Sequence, residues 1–418
     1  MPSNVSRGAL YNDRFGEMYR VNGTSLYRID ADGTATDLGT ISGSDLVAMP
    51  YSFNTQGIVA NGRFWLYSPT DGLQVVTDPD LGYPIDCVWV DGYYFFTDGE
   101  YIYHTNITDE TAIDPLKFAT AEFMPDATLG VAKTQDNKVM VFGRYSIEYF
   151  ANVASDDFAF SRLATRAIKI GIVGTHAKCE VDGVYYILGN RKEEAVGVHI
   201  VTVGQSQHIS SREVEKVIGE YTEAELSQVR METMHQDEMS FVLVHLPRHT
   251  FQFNETIASK AGKDAAWTIL STGSQDGIRN YRGIHFAFDP RISKWTVGDK
   301  ENGNLGLWDS TTALQYGEIA EWRIFTPYAD LERGSVDEIE VETIPGFTAE
   351  SDATVFMSIT YDGIFWGKEW SLRYGLPGDY GRRFIARRLG YIRDKFALKL
   401  RGATRSRMLF SRAKITYG

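Results

Sequence analysis

The chain has 418 residues, a formal net charge of −13, 43% hydrophobic and 13% aromatic content, 39 glycines and two cysteines. It exceeds the size of about 250 to 300 residues at which one core stops growing, so two domains are expected, and its glycine and aromatic content fits a turn-rich all-β fold better than a helical or disordered one. No run of about 18 apolar residues and no charged-then-apolar N-terminal pattern occurs, so nothing reads as membrane-spanning or exported, while Cys87 and Cys179 lack the spacing of a metal site or disulfide scaffold and fit synthesis in a reducing compartment.

Taken in chain order, a hairpin recurs. Tyr19-Arg-Val21 turns at Asn22-Gly23 into Thr24 to Ile29, and Ile58-Val-Ala60 turns at Asn61-Gly62 into Arg63 to Tyr67. The densest copy runs from Asp86 to His104, where Asp91-Gly92 and Asp98-Gly99 separate three aromatic, β-branched strands. Asp-Gly and Asn-Gly tolerate the positive φ that a two-residue hairpin turn needs. A further copy turns at Asp182-Gly183, and looser ones centre on Gln135-Asp136-Asn137, Gln236-Asp237 and Asp289-Pro290. The period of about 40 to 50 residues is that of four-stranded propeller blades. Residues 1–315 therefore read as a six- or seven-bladed β-propeller, with a stacked pair of sandwiches as the competing architecture.

Two capping boxes, Ser210-Ser-Arg-Glu213 and Thr222-Glu-Ala-Glu225, interrupt the strands. Val214, Val217, Ile218, Leu226 and Val229 follow at helical spacing, which predicts a short helical insertion over about 210–231. Beyond Trp308 the pattern changes: Glu338 to Ile344 alternates charged with apolar residues, and Phe396, Leu398 and Leu400 alternate with Lys399 and Arg401. Residues 316–418 read as a C-terminal β-sandwich of about 100 residues.

From Lys368 to the end there are 14 Lys plus Arg against three acidic residues, a net of +11, which leaves −24 for the rest. Such a split predicts a basic surface that meets something acidic, a partner subunit or nucleic acid, against the simpler reading of a solvated strand face. The candidate assembly interface is Arg382, Arg383, Arg387, Arg388, Arg393, Lys399 and Arg401.

No catalytic constellation stands out. The sequence has no H-E-x-x-H, G-x-S-x-G or P-loop. His245-Leu-Pro-Arg-His249 suits a turn better than a metal site, and the loop opening at Asp30 has Ala35 where calcium loops need glycine and Ile41 where they need glutamate. Thr360 to Trp366 approximates a sialidase-type Asp box, so a carbohydrate-active or carbohydrate-binding propeller is the alternative reading; such an enzyme needs a carboxylate pair that sequence cannot locate. No cofactor or metal is expected.

Ten motifs appear in a familiar order: Val5-Ser-Arg-Gly8, Ser146-Ile-Glu-Tyr-Phe150, Gly171-Ile-Val-Gly-Thr175, Tyr221-Thr222, Met231-Glu-Thr233, His245-Leu-Pro-Arg-His249, Tyr281-Arg-Gly283, Gly298-Asp-Lys300, Phe325-Thr-Pro327 and Arg388-Leu-Gly-Tyr-Ile-Arg393. This order resembles the packaged DNA stabilisation proteins, or tail hubs, of short-tailed lambdoid bacteriophages. The resemblance implies a structural virion protein of the tail rather than an enzyme, made in the host cytoplasm. It implies a hexameric ring beneath the portal and its adaptor (head-to-tail protein) that retains packaged DNA, passes double-stranded DNA without sequence-specific binding, and anchors the tail needle and tailspikes. Members of that family carry an additional segment ahead of the Val-Ser-Arg-Gly motif, whereas this chain starts almost at it; the expectation is either a start placed late or a missing strand at the N-terminal edge.

Overall fold

A computed structural model describes residues 5–274, 277–331, 333–344, 346, 348, 353–406 and 408–417. The chain forms two compact units, one of residues 1–270 and 282–308 and one of residues 271–281 and 309–418.

Seven antiparallel sheets follow one another in the first unit, at 6–40, 56–75, 86–120, 128–162, 178–208, 230–272 and 283–307. They are the blades of a seven-bladed propeller. The turns form where the Asx-Gly pairs stand: Asn61, Asp91 and Asp182 have φ of 48°, 51° and 49°, each followed by a positive-φ glycine. The three strands expected within 86–104 are Asp86–Val90, Tyr93–Thr97 and Tyr101–Asn106, and a fourth, Asp109–Thr120, completes the blade at its outer edge. Ring closure brings Gly283–Asp289 of the seventh blade against Ser6–Asn12 of the first. Arg20, almost fully buried, fastens this seam by donating from Nη2 to the carbonyl of His285 at 2.6 Å.

Helices α1 (Arg212–Ile218) and α2 (Glu223–Leu226) form at the two capping boxes, but only the second box is made: α1 is capped one residue later than expected, by Ser211 accepting from Val214 N, while Ser210 Oγ turns to Val198 N. In α2, Thr222 and Glu225 cap each other reciprocally, and Val214, Ile218 and Leu226 face the core shared by blades four to six. A third helix, α3 (Glu255–Ala261), is capped by Asn254 and buries none of its residues.

In the second unit, two sheets enclose a separate core. The larger orders Trp322–Phe325, Lys395–Gly402, Ala353–Thr360 and Trp370–Gly375; the smaller orders Phe384–Ile392, Gly334–Thr343 and Phe410–Tyr417. Val355, Met357, Leu398 and Leu400 from one meet Ile339, Val341, Ala386 and Leu389 from the other. The segment 271–281 is stitched into this unit, where the Gly273 carbonyl accepts from Glu321 N and Thr272 Oγ1 donates to Gln315 at 2.5 Å.

Candidate functional site

All seven blades contribute to one cavity of about 340 Å³ at the propeller axis. Asp86, Lys178, Arg230 and Glu232 line it, at or near the inner strands of blades three, five and six. Asp86, buried in the third blade, accepts from Val131 N at 2.9 Å in the fourth and from Lys178 Nζ at 2.7 Å in the fifth. One carboxylate therefore ties three blades together.

Glu232 joins two blades, the sixth and the seventh. Its Oε1 accepts from His245 Nε2 at 2.7 Å and from His285 N at 3.0 Å, and its Oε2 accepts from Phe286 N at 3.1 Å. Burial opposes ionisation of Glu232, yet His245, Arg230 and the Phe286 N–H outweigh it and hold the carboxyl below its ordinary range. Burial, followed by the nearby Lys300 charge, pushes His245 down to about 4, and burial lowers Lys300 to about 8. His245 is thus neutral near pH 7, and its Nε2 carries the proton that Glu232 accepts.

The histidines of His245-Leu-Pro-Arg-His249 go separate ways. His249 Nδ1 meets the Tyr221 hydroxyl at 2.7 Å, while Arg248 lies over the Tyr221 ring and ion-pairs with Glu225 at 2.5 Å, which anchors the helical insertion to the turn between two strands of blade six. Among the described residues no three His, Cys, Asp or Glu side chains gather as a metal site. Both cysteines are free, and burial raises both thiols. The Asp30 loop is a turn in which Asp30 N bonds to Thr34 O. In the stretch resembling an Asp box, Asp362 Oδ1 accepts from Ile364 N and Phe365 N, each at 2.8 Å, which folds a tight turn and leaves no second carboxylate in that set.

The quoted motifs mostly serve this architecture. Arg7 donates to the carbonyls of Gly23, Ile41, Ser42 and Asp45, and Arg282 forks onto Asp299 at 3.1 and 2.5 Å in a buried pair. Gly174 sits so close to the Ser227 backbone that a Cβ would lie 2.1 Å from its carbonyl oxygen. Spacing alone could not single out Glu232 and Lys300; their signal was membership of the Met231-Glu-Thr233 and Gly298-Asp-Lys300 motifs.

The seven basic residues proposed as an interface divide between the two sheets of the second unit: Arg387 and Arg388 on the smaller sheet with Arg382, Arg383 and Arg393 flanking that strand, and Lys399 and Arg401 on the larger. Arg383 binds Glu340 at 2.7 Å and Glu338 at 3.1 Å, and Arg387 binds Glu338 at 2.9 Å, on the smaller sheet. Arg401 forks onto Glu369 at 2.8 and 2.6 Å, with Lys399 at 3.7 Å from the same carboxylate, on the larger one. Arg382 lies 3.8 Å from Asp379. Among the described residues Arg388 and Arg393 have no ion pair. Counted over 316–418 there are 16 Lys plus Arg against 14 acidic residues, so the net is only +2, and 1–315 carries −15. The missing partners are Glu338, Glu340 and Glu342, every second residue of one strand, and hydrogen bonds from Arg412 and Lys414 lower Glu342 to about 2.

Residues 3–313 match the family described as Bacteriophage P22 Gp10, beta-propeller, and residues 321–418 that described as Bacteriophage P22 Gp10, beta-sandwich. The chain belongs to the P22 Gp10 family. The tail hub protein gp10 of Salmonella phage P22 is 29% identical over 428 residues, covering 98% of this chain and 87% of that protein. A streptogramin B lyase structure aligns with a TM-score of 0.47 at 11% identity, over 74% of this chain and 95% of that one; virginiamycin B lyase from Staphylococcus aureus aligns at 0.47 and 11%, over 73% and 94%. Membership of the P22 Gp10 family makes this chain a structural protein of the phage virion tail, not an enzyme. The all-β expectation, a propeller followed by a sandwich, holds with it. No helix among the described residues is long and apolar enough to cross a membrane.

Proposed function

We propose that copies of this chain close into a six-fold ring beneath the portal and its adaptor protein, retain the packaged DNA, continue its ejection channel, and hold the tail needle and tailspikes. The observation that carries this reading is the narrow propeller axis: a 340 Å³ cavity lined by Asp86, Lys178, Arg230 and Glu232, with the Asp86–Lys178 pair in it, is too small to pass a duplex. A DNA channel built from such units has to run between copies. Each propeller then serves as a rigid wall block whose strand edges are short and protected. A wall that carries −15 repels the duplex instead of holding it.

Within the candidate interface, Arg388 and Arg393 are the docking charges, because the other five already have carboxylate partners in the same unit. Particles assembled without the chain are expected to fill and then lose DNase-protected DNA, and Arg388→Glu/Arg393→Glu is expected to weaken ring assembly more at low salt than at high salt. Full DNA retention with lost adsorption or glycan cleavage would instead move the chain to the receptor-facing machinery.

A further inference from the structure

The second unit exposes an apolar knob. At the turn made by Asp362, Ile364 and Phe365 are 75% and 77% exposed, and Phe325 and Tyr328 lie exposed on strands or turns beside it. The knob is continuous: Phe325 packs on Trp366 with ring centroids 5.5 Å apart, and the Tyr328 hydroxyl lies against Gly363. Two lysines border it: Lys395 Nζ lies 4.9 Å from the Tyr328 ring, and Lys399 Nζ lies 5.0 Å from the Trp366 ring and 3.7 Å from Glu369. Lys395 has no ion pair among the described residues.

The propeller exposes the complement. Along blade three a groove of about 230 Å³ is lined by Leu81, Tyr101 and Phe118, and its rim carries Asp80, Asp98 and Asp114. Lys117 also reaches this rim, 3.9 Å from Asp114. Beside it Leu116 is 82% exposed on Asp109–Thr120, the outermost strand of the blade, where Pro115 blunts edge pairing. Large side chains left this exposed and clustered mark interaction surfaces.

We infer that the Ile364–Phe365 knob of one copy seats in the blade-three groove of the next, with Lys395 facing Asp80, Asp98 and Asp114. Three features select a second copy as the occupant. Knob and groove match in apolar character and oppose in charge; both stay uncovered in the single chain; and they are two different patches, which is what a head-to-tail contact needs in order to close a ring. The inference rests on the ring reading above and adds to it the surfaces that meet.

The test is disulfide trapping in purified tails that carry Phe365→Cys and Phe118→Cys together, both native thiols being deactivated by burial. The expected result is a ladder of covalent multimers extending past the dimer on a non-reducing gel, with no ladder from either single variant. Lys395→Glu in this background is expected to reduce the ladder by roughly threefold, and Asp114→Lys to restore it. A chain present in tails but giving no ladder, a disulfide closed within one chain, or a charge reversal without rescue would overturn the docking and leave the ring reading standing. Absence of the chain from purified tails would overturn the ring reading and the docking with it.

Discussion

His245 Nε2 donates to Glu232 Oε1 at 2.7 Å across two neighbouring strands of one blade, and the same oxygen accepts the backbone N–H of His285 from the next blade. The first histidine of a motif that reads as a turn is therefore part of a joint between blades. The joint works because the two groups titrate apart: Glu232 is held ionised and His245 neutral. An ionised carboxylate accepting three hydrogen bonds is tolerated in the core, whereas an extra buried proton on the imidazole is not.

This joint makes stability depend on pH. His245 titrates near 6.5 when unfolded and near 4 when folded, so between those values the unfolded chain binds more protons. Its contribution is fully present above pH 6.5 and is lost as pH falls towards 4, up to about 3 kcal/mol at 1.36 kcal/mol per pH unit. Thermal melts from pH 7.5 to 4 should show a falling Tm across this window. His245→Gln should lower Tm at pH 7.5 but flatten the slope by close to one proton; an unchanged slope would assign the pH dependence to another group.

Gly174 offers a backbone test. A Cβ there would meet the Ser227 carbonyl oxygen at 2.1 Å and its carbonyl carbon at 2.6 Å, and neither can rotate away. Gly174→Ala should destabilise the first unit by about 1–3 kcal/mol through the forced backbone shift. Denaturant midpoints for this variant, beside Gly204→Ala, whose added methyl meets nothing but whose positive φ carries its own strain, separate crowding from conformation. Equal losses in the two would refute the crowding account.

The hairpins were legible because their signal is local. Asp91-Gly92 needs only its own two φ angles, and the flanking alternation supplies the strands. Asp237 and Glu238 adopt the same turn with φ of 49° and 62° but without a glycine, so that copy read as loose. Helix α3 left no periodic stripe because it buries nothing, and the excursion at 271–281 is held by pairs such as Arg279–Glu318, 39 residues apart. Charge was misleading for the same reason. A count from Lys368 severs Arg412 from Glu342, its partner 70 residues earlier, and so turns a nearly neutral unit into a basic tail.

Arg282 and Asp299 form a buried pair that should fail asymmetrically. Asp299 has no exposed surface, so Arg282→Met leaves its charge without its forked partner, at a cost of about 3–5 kcal/mol. Adding Asp299→Asn removes the stranded charge and should recover a large part of the loss. Additive losses in this cycle, measured by urea unfolding, would mean the two side chains act independently.

The last prediction concerns DNA. Non-specific duplex affinity comes from phosphate contacts by Lys and Arg, each adding to the salt dependence, and typical dissociation constants at physiological salt are about 10⁻⁴ to 10⁻⁶ M. This chain is poor in free cations: the propeller carries −15, and Arg383, Arg387, Arg401, Arg412 and Lys414 are already held by carboxylates at 2.6–3.1 Å. The isolated protein should therefore bind duplex DNA more weakly than about 10⁻⁴ M at physiological salt, with a shallow salt slope. Glu338→Gln/Glu340→Gln would release Arg383 and Arg387, and binding should tighten and steepen with falling salt. Tight, salt-steep binding by the unaltered protein would mean that a phosphate track exists and that the channel wall grips the duplex it is proposed to pass.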